Sequence, residues 1–441
     1  MEKRVLFLTP GMDGPVDGNA WPPELERRAA RNRWRVVTPS LLLLAAMADR
    51  AGWAPTVVDE DFAQVDWTAC YDLVCMYTVT PNARRAYRYA ERFRQKGAWV
   101  ALGGVHAAMR PSESARFADT LLLGEGEEIF PAFLKDFELG RPLARYEQRR
   151  PVDLTRSPTP LYGALRRQEQ RLIPMQTSRG CPRGCRFCNV RALYGEGFRV
   201  KTQAQLEREL EAVCALPVRG QLYITNDKLM GSTDHFRQLC ALLQNSARHW
   251  YANADISFGQ DETLIRLAYQ SGLRQVLIGL EGVTEAGLRG MDRTDFKLRH
   301  LKRYRDYIQR IQSNGIGVTG SFIVGGLHDT PDTFAQLAEF IESTHLFAAS
   351  VTVSTPYPGT ELYRQMDREG RIASYDWNDY TIFQPVMPGL YLSMEEIRAH
   401  YQKLLYRIHS PERERDVIAY FQPIVHKLRQ EASPEERGDA S

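Results

Sequence analysis

The stretch GCPRGCRFC places Cys181, Cys185 and Cys188 in one short segment, with Gly180 and Gly184 before and between them. The spacing C-x3-C-x2-C is too tight for a disulfide framework. It suits three thiolates that converge on separate irons of one cubane. The glycines let the backbone wrap a bulky object closely and permit positive φ. A [4Fe-4S] cluster needs four ligands, and the other cysteines (Cys70, Cys75, Cys214 and Cys240) fall in predicted strand or helix interiors. There a thiol serves as a small buried hydrophobe. A cluster with three protein ligands leaves one iron open to a substrate or cofactor. The competing metal is structural zinc, which prefers paired C-x2-C units and four closed positions. One such pair exists here, and no histidine lies within the loop.

The elements that must position this loop are legible as two βα series. In residues 1–140 the runs RVLFLTP, PTVVDE, DLVCMYTV, AWVALGG and DTLLLGE are mostly continuous and apolar, as strands buried on both faces are. Helix candidates such as 39–52 and 82–97 lie between them and end at glycine stops. The pattern predicts an α/β fold that opens with a doubly wound, Rossmann-like domain. Ligands of such sheets sit beyond the strands' C-terminal ends, where TPGMDG, TVTPN, GGVH and GEGEE fall. Residues 141–170 are rich in proline and arginine without periodicity and read as a linker. A second series then supplies six strands, LIPMQTS, GQLYITND, HWYANADIS, RQVLIGLE, IGVTGSFIVGG and ASVTVSTP, spaced by helices near 202–215, 232–246, 260–271, 296–313 and 331–345. Over 171–360 this predicts a partial (β/α)6 barrel, with its chemistry at the C-terminal strand ends. The cysteine loop directly follows the first of these strands. Residues 361–430 read as a helical C-terminal region, and 431–441 as a disordered tail.

Composition narrows the function class. The 57 Lys and Arg against 54 Asp and Glu give a net charge of +3, so nothing calls for a nucleic-acid partner. The densest basic run, 24–35, alternates with Glu and Ala and reads as a solvated helix face. No apolar run reaches the ~18 residues of a membrane span. The opening MEKRVLFLTPG is too short in its apolar part for a signal peptide. Seven cysteines without a paired framework point to a reducing cytoplasm.

The loop, with Phe187 before its last cysteine and a six-unit βα barrel behind it, resembles the radical S-adenosylmethionine (SAM) superfamily. The segments TPSLLLLAAMADRAG, VVDEDF, GGVHAAMRPSE and LLLGEGEE are similar to the subgroup with a cobalamin-binding domain. QTSRGCPRGCRFC, YGEGFRVKT, VLIGLEG, SFIVGG, PYPGTELY and DWNDYTIFQP resemble the branch that contains hopanoid C-2 methylases. The resemblance covers roughly residues 3–410. It implies that Cys181, Cys185 and Cys188 hold a [4Fe-4S] cluster whose open iron chelates SAM. One electron then cleaves the sulfonium to methionine and a 5′-deoxyadenosyl radical.

The same resemblance assigns SAM contacts residue by residue. Asp227 stands in an acidic segment that here reads Asn226-Asp227-Lys228, a departure that puts a cation where the branch has an amide. Glu281 matches the family's acid at the end of the fourth strand. Asn253 and Asp255 alternate along one strand face, meeting a ligand if that face is the lumen and capping the strand if not. Gly325 and Gly326 allow adenine or ribose close to the backbone, or make a bare turn. Tyr357 departs from a small residue and stacks on a ligand or packs. His106 and His328 stand at loop tips, each a base or a solvated side chain. In the first domain Thr80, Gly103, Gly104, Gly124 and Glu125 would line the cobalamin site. No D-x-H-x-x-G motif supplies a cobalt imidazole, which leaves either cobalamin bound without histidine or a vestigial domain that buttresses the barrel. With cobalamin the implied reaction is C-methylation of a small-molecule or lipid substrate. Without it, cyclisation, rearrangement or 3-amino-3-carboxypropyl transfer are the candidates, and a non-catalytic cobalamin- or metal-binding module is the alternative class. An electron donor of flavodoxin or ferredoxin type is implied.

Overall fold

Runs such as Val5–Leu8 and Leu73–Met76 have no polar face, so both sides of each strand need cover. In the computed structural model of the chain these residues are buried throughout. The structure describes residues 2–13, 36–167, 172–217, 220–246 and 248–431. The basic run 24–35 and the tail beyond Glu431 lie outside them. The described chain divides into two compact units. The second holds Lys228–Ser354 and the chain from Ile382 onward, and the first holds the rest, Thr355–Thr381 included.

The first unit contains the N-terminal sheet. Its strands are β1 (Arg4–Thr9), β2 (Ala54–Asp59), β3 (Leu73–Tyr77), β4 (Trp99–Gly103), β5 (Thr120–Leu123) and β6 (Arg145–Glu147). They pair in the order β2-β1-β3-β4-β5-β6, all parallel. The order reverses between β1 and β3, and the crevice beyond such a switch point is where doubly wound sheets bind ligands. Helix Pro39–Arg50 turns Leu41, Leu42, Leu43 and Ala45 inward, which is why its sequence is apolar nearly all round. Five of the strands are those read from the sequence. The sixth arises in the segment read as linker. Only Tyr146 of its three residues is buried, so it shows no periodicity, and the Tyr146 hydroxyl is held by Leu143 N and Asp136.

The second βα series forms as the six units of a partial (β/α)6 barrel. In the first unit β7 (Leu172–Met175) pairs parallel with β10 (Gln221–Ile224). Between them a small antiparallel ribbon joins β8 (Ser178–Arg179) to β9 (Arg199–Val200). In the second unit β11 (Trp250–Ala254), β12 (Leu273–Glu281), β13 (Gly317–Val324) and β14 (Ala348–Val353) pair in sequence, all parallel. The intervening helices match expectation, except that 296–313 breaks into Phe296–His300, a 3-10 turn at Leu301–Arg303, and Tyr304–Ser313. The C-terminal helices are Glu361–Arg368, Met394–Ile408 and Pro411–Glu431.

None of the seven cysteines is in a disulfide. Cys75 and Cys240 are buried as expected, whereas Cys70 and Cys214 are exposed. Cys70 lies in the turn before β3, and Cys214 is the last residue of helix Gln203–Cys214, so neither has an element packed over it. Among the described residues no helix is long and apolar enough to cross a membrane.

Candidate active site

The cysteine loop leaves β7 and is anchored at once by the segment after β10. Asn226 Oδ1 accepts hydrogen bonds from Thr177 N (2.8 Å) and Ser178 N (3.0 Å), and its Nδ2 donates to Thr177 Oγ1 (2.7 Å). Asp227 Oδ2 accepts from Gly180 N at 2.8 Å. Burial raises the Asp227 carboxyl, against the pull of that amide and of Arg179 and Arg199. Gly180 has φ 95°, and a Cβ there would stand 1.9 Å from Gly197 O, so only glycine fits. Farther along, Cys188 N donates to Cys185 O (3.1 Å), and Arg186 O accepts from Leu362 N (2.9 Å) while its guanidinium reaches Glu361 and Gln365. Cys181, Cys185 and Cys188 are all half-buried on this braced loop. Among the described residues no three His, Cys, Asp or Glu side chains converge on a single metal ion.

A cavity of about 180 Å³ opens beyond the C-terminal ends of β3, β4 and β5. Gly103, Gly104, Gly124 and Glu125 line it, with Tyr77 and the helix residues Leu41–Leu44, and Arg179 and Tyr194 reach it from the neighbourhood of the cysteine loop. At Gly104 (φ 90°) a Cβ would meet Thr78 O at 2.6 Å, which keeps this wall flat. Thr80 is not in the lining: its hydroxyl bonds the His106 ring at 3.2 Å. His106 itself is no loop-tip side chain. It lies in helix Gly104–Met109, fully buried, with its second ring nitrogen 3.0 Å from Tyr87 OH and its ring edge-on to Trp377. The reason is packing: the helix starts directly at the strand end and turns this residue inward. Tyr357 is likewise engaged, donating to Tyr380 O at 2.8 Å.

Glu125 is the most heavily bonded side chain of this region. It accepts from Arg179 Nη1 (2.8 Å), Arg199 Nη1 (2.9 Å), Gln148 Nε2 (2.8 Å) and Val152 N (3.1 Å). Burial works to raise its carboxyl, but the Arg179 and Arg199 hydrogen bonds outweigh it and hold the group below the usual carboxylate range. Glu127 adds a second ion pair to Arg179 at 2.7 Å.

In the second unit the expected residues stand at or just past the ends of their strands. Asn253 is half-buried on β11, and its carbonyl accepts from Leu229 N. Asp255 lies one residue past the end of β11, its backbone still extended. It caps the following turn by accepting from Ser257 N (3.0 Å) and pairs with Lys228 (3.1 Å), so the unusual lysine has a carboxylate partner. Glu281 ends β12 in a left-handed conformation, φ 64°, directly after a register shift against β13. Such a bulge re-aims a side chain, and a non-glycine residue there is strained. Its Oε1 is 2.6 Å from Lys297 Nζ, which also donates to Gly279 O (2.7 Å). After β13, Gly325 (φ 71°) and Gly326 form a turn closed by Asp329, whose Oδ2 accepts from Gly326 N at 2.9 Å. Burial pushes the Asp329 carboxyl up to about 6. His328 is exposed beside it.

Sequence reasoning missed Lys297, Asp329, Asn226 and Arg179 as parts of these arrangements. Asp329 had a local signal, three residues after the glycine pair. Lys297 and Arg179 had none, since their partners come from distant positions.

A family model described as the Radical SAM superfamily matches residues 175–341. Over 347 residues the chain is 27% identical to bacteriochlorophyllide d C-8(2)-methyltransferase of Chlorobaculum tepidum, covering 75% of this chain and 76% of that protein. It is 23% identical to hopanoid C-2 methylase of Rhodopseudomonas palustris, covering 84% of this chain and 71% of the relative. Among solved structures it resembles the radical SAM methyltransferase TsrM of Kitasatospora setae with tryptophan and a SAM analogue bound. That match has TM-score 0.70 at 16% identity, over 93% of this chain and 90% of that one. A second structure of TsrM, with cobalamin and a [4Fe-4S] cluster bound, matches with TM-score 0.65 at 15% identity over 84% and 75%. Residues 175–341, which carry the cysteine loop at their start, are a Radical SAM domain, and the chain is an enzyme.

Proposed function

We propose that the protein is a cobalamin-dependent radical SAM enzyme that methylates a carbon of a small-molecule or lipid substrate. The observation that carries the reading is the three-cysteine loop, fastened through Arg179 to a carboxylate that lines a cavity at the strand ends of the first sheet. Residues 1–140 would be the cobalamin-binding domain and 171–360 the radical SAM barrel, with 141–170 between them and 361–430 behind.

The residues present fit both groups. Three half-buried thiols outside any disulfide suit a cluster with one open iron. The cavity is largely apolar, and Glu127 Oε2 on its wall is buried without a hydrogen-bond partner, a seat for an amide donor of a corrin. No histidine is among its described lining residues, so a corrin there would take no imidazole from this chain. When bound, the cluster supplies the electron that splits SAM, and the corrin supplies the methyl group.

The chain's own residues bind and orient. Cys181, Cys185 and Cys188 would hold the cluster. Glu281, steadied by Lys297, would accept from the SAM ammonium or ribose hydroxyls. Gly325 and Gly326 would let the ligand approach backbone, and Asn253, Asp255 and Asp227 would each offer SAM a polar side chain. Gly103, Gly104, Gly124 and Glu125 would line the corrin, with Thr80 behind them. The bacteriochlorophyllide and hopanoid relatives, whose names denote large apolar molecules, favour a substrate of that kind. An electron donor of flavodoxin or ferredoxin type and a cytoplasmic setting go with this reading, and the near-neutral charge argues against nucleic acid.

The test is anaerobic reconstitution with iron, sulfide and hydroxocobalamin, followed in the presence of SAM by reduction with dithionite, which gives a cob(I)alamin that takes the SAM methyl group. The expected products are 5′-deoxyadenosine and S-adenosylhomocysteine, with Cys185→Ala abolishing both the cluster's visible absorption and the products. A single zinc with no iron would overturn the class, and methylthioadenosine as the SAM product would overturn methyl transfer.

A further inference from the structure

Beside the cysteine loop, four charged side chains are taken almost wholly out of water. The exposures are 1% for Glu125, 5% for Glu127, 8% for Arg179 and 17% for Arg199. Their bonds interlock. Arg179 Nη1 serves both Glu125 (2.8 Å) and Glu127 (2.7 Å), and Arg199 Nη1 serves both oxygens of Glu125 and the Val152 carbonyl. Arg179 Nε is directed by Gln176 Oε1 at 2.6 Å, and Ser157 Oγ donates to Glu127 Oε1 at 2.9 Å. With two carboxylates and two guanidinium groups, the set is neutral as built. A buried quartet of this kind is weak evidence for stability, because desolvation cancels most of the attraction. Its position therefore asks for another explanation.

Arg179 is two residues from Cys181 and ends the strand that delivers the loop. Two residues of chain reach at most about 7 Å between their Cα atoms, so the backbone of Arg179 adjoins that of the first cysteine. Arg199 pairs across the ribbon with Arg179, and Arg179, Glu125 and Glu127 all line the cavity of the first sheet. Asp227, which holds Gly180, and the buried Lys201–Glu209 pair (2.5 Å) stand around the same set. A group bound in the cavity and a cluster on the loop would thus share one layer of charge.

We propose that Glu125 and Arg179 are positioning residues that set the reduction potential of the cluster, holding the electrostatics of the loop neutral and tying them to the cavity. This rests on the assignment of the cysteine triad as the cluster site. Reduction adds negative charge to the cluster, so removing a nearby buried carboxylate favours the reduced form and removing a guanidinium disfavours it. Loss of packing alone has no reason to move the two variants in opposite directions.

The experiment is an EPR-monitored redox titration of the reconstituted full chain as wild type, Glu125→Gln and Arg179→Gln. At a fixed poise the ratio of reduced to oxidised cluster should rise in Glu125→Gln and fall in Arg179→Gln. Each change should be of the order of tenfold, the effect of one unit charge nearby at an effective dielectric near 20. Glu127→Gln, which leaves the Glu125 bonds in place, should shift the ratio in the direction of Glu125→Gln by less, and it serves as the reporter if either first variant fails to fold. Arg179→Lys keeps the charge and should restore most of the wild-type ratio. Shifts of the same sign, or an unmoved ratio in Glu127→Gln and in whichever other variants fold, overturn the proposal while leaving the cluster assignment intact. Wild-type protein that assembles no cluster overturns the assignment itself.

Discussion

In the first unit Glu125 answers to two arginines, a glutamine and a backbone amide, while in the second unit Glu281 answers to a single lysine. Both carboxylates are buried at or just past the C-terminal end of a strand. A group surrounded by several preset donors has little to offer a ligand, because each exchanged bond leaves another buried donor unpaired. Among the described residues Glu281 has one donor bond, of 2.6 Å from Lys297, an oxygen with acceptor capacity left, and a strained backbone of the kind that gathers at ligand sites. The contrast separates a carboxylate whose acceptor capacity is taken up by several donors from one that has capacity left.

The largest expected effect attacks the single-donor side. Lys297→Met leaves Glu281 buried without its partner and should cost about 3–5 kcal/mol in denaturant unfolding. It should also weaken SAM binding measured by calorimetry. If SAM binding is untouched, Glu281 is as structural as Glu125 and the comparison collapses.

Asp329 gives a smaller effect with a pH signature. Its folded pKa, about 6, stands above the ordinary 3.8, so folding favours the protonated form. That contribution is whole below about pH 4 and is lost as pH rises through 6. Asp329→Asn, which can still accept from Gly326 N, should therefore be more stable than wild type at neutral pH, by at most about 3 kcal/mol. The gap should close as pH falls from 7 to 4. Chemical denaturation of both proteins across this range checks it, and a constant gap sinks it.

The smallest effect belongs to the many-donor side. Gln148→Ala removes one of the donors to Glu125 and should cost about 1 kcal/mol, since two arginines and Val152 N remain. A loss as large as that from Lys297→Met would show that Glu125 is no better supported than Glu281.

Much of the fold could be read in advance because its signals are local. Continuous runs such as VLFL and LVCM announce strands buried on both faces, and β1–β5 and the six barrel strands followed. The three-residue β6 escaped because one buried tyrosine makes no period. The places of the cysteine loop after β7 and of Glu281 at the end of β12 were legible from motif and strand pattern. His106 was misplaced because a helix begins directly at its strand end, while Asp255 takes the capping role that was one of its two readings.

What the sequence by itself determined is the chemistry that covalent spacing can hold: thiols at C-x3-C-x2-C, glycines where the backbone must turn, and apolar runs that have to be covered. Tertiary structure alone decided which charges meet. Lys297 reaches Glu281 across 16 residues of chain and Arg179 reaches Glu125 across 54. Such pairs carry no periodic signature, because packing of the intervening strands and helices, and not the number of residues between them, brings the side chains together.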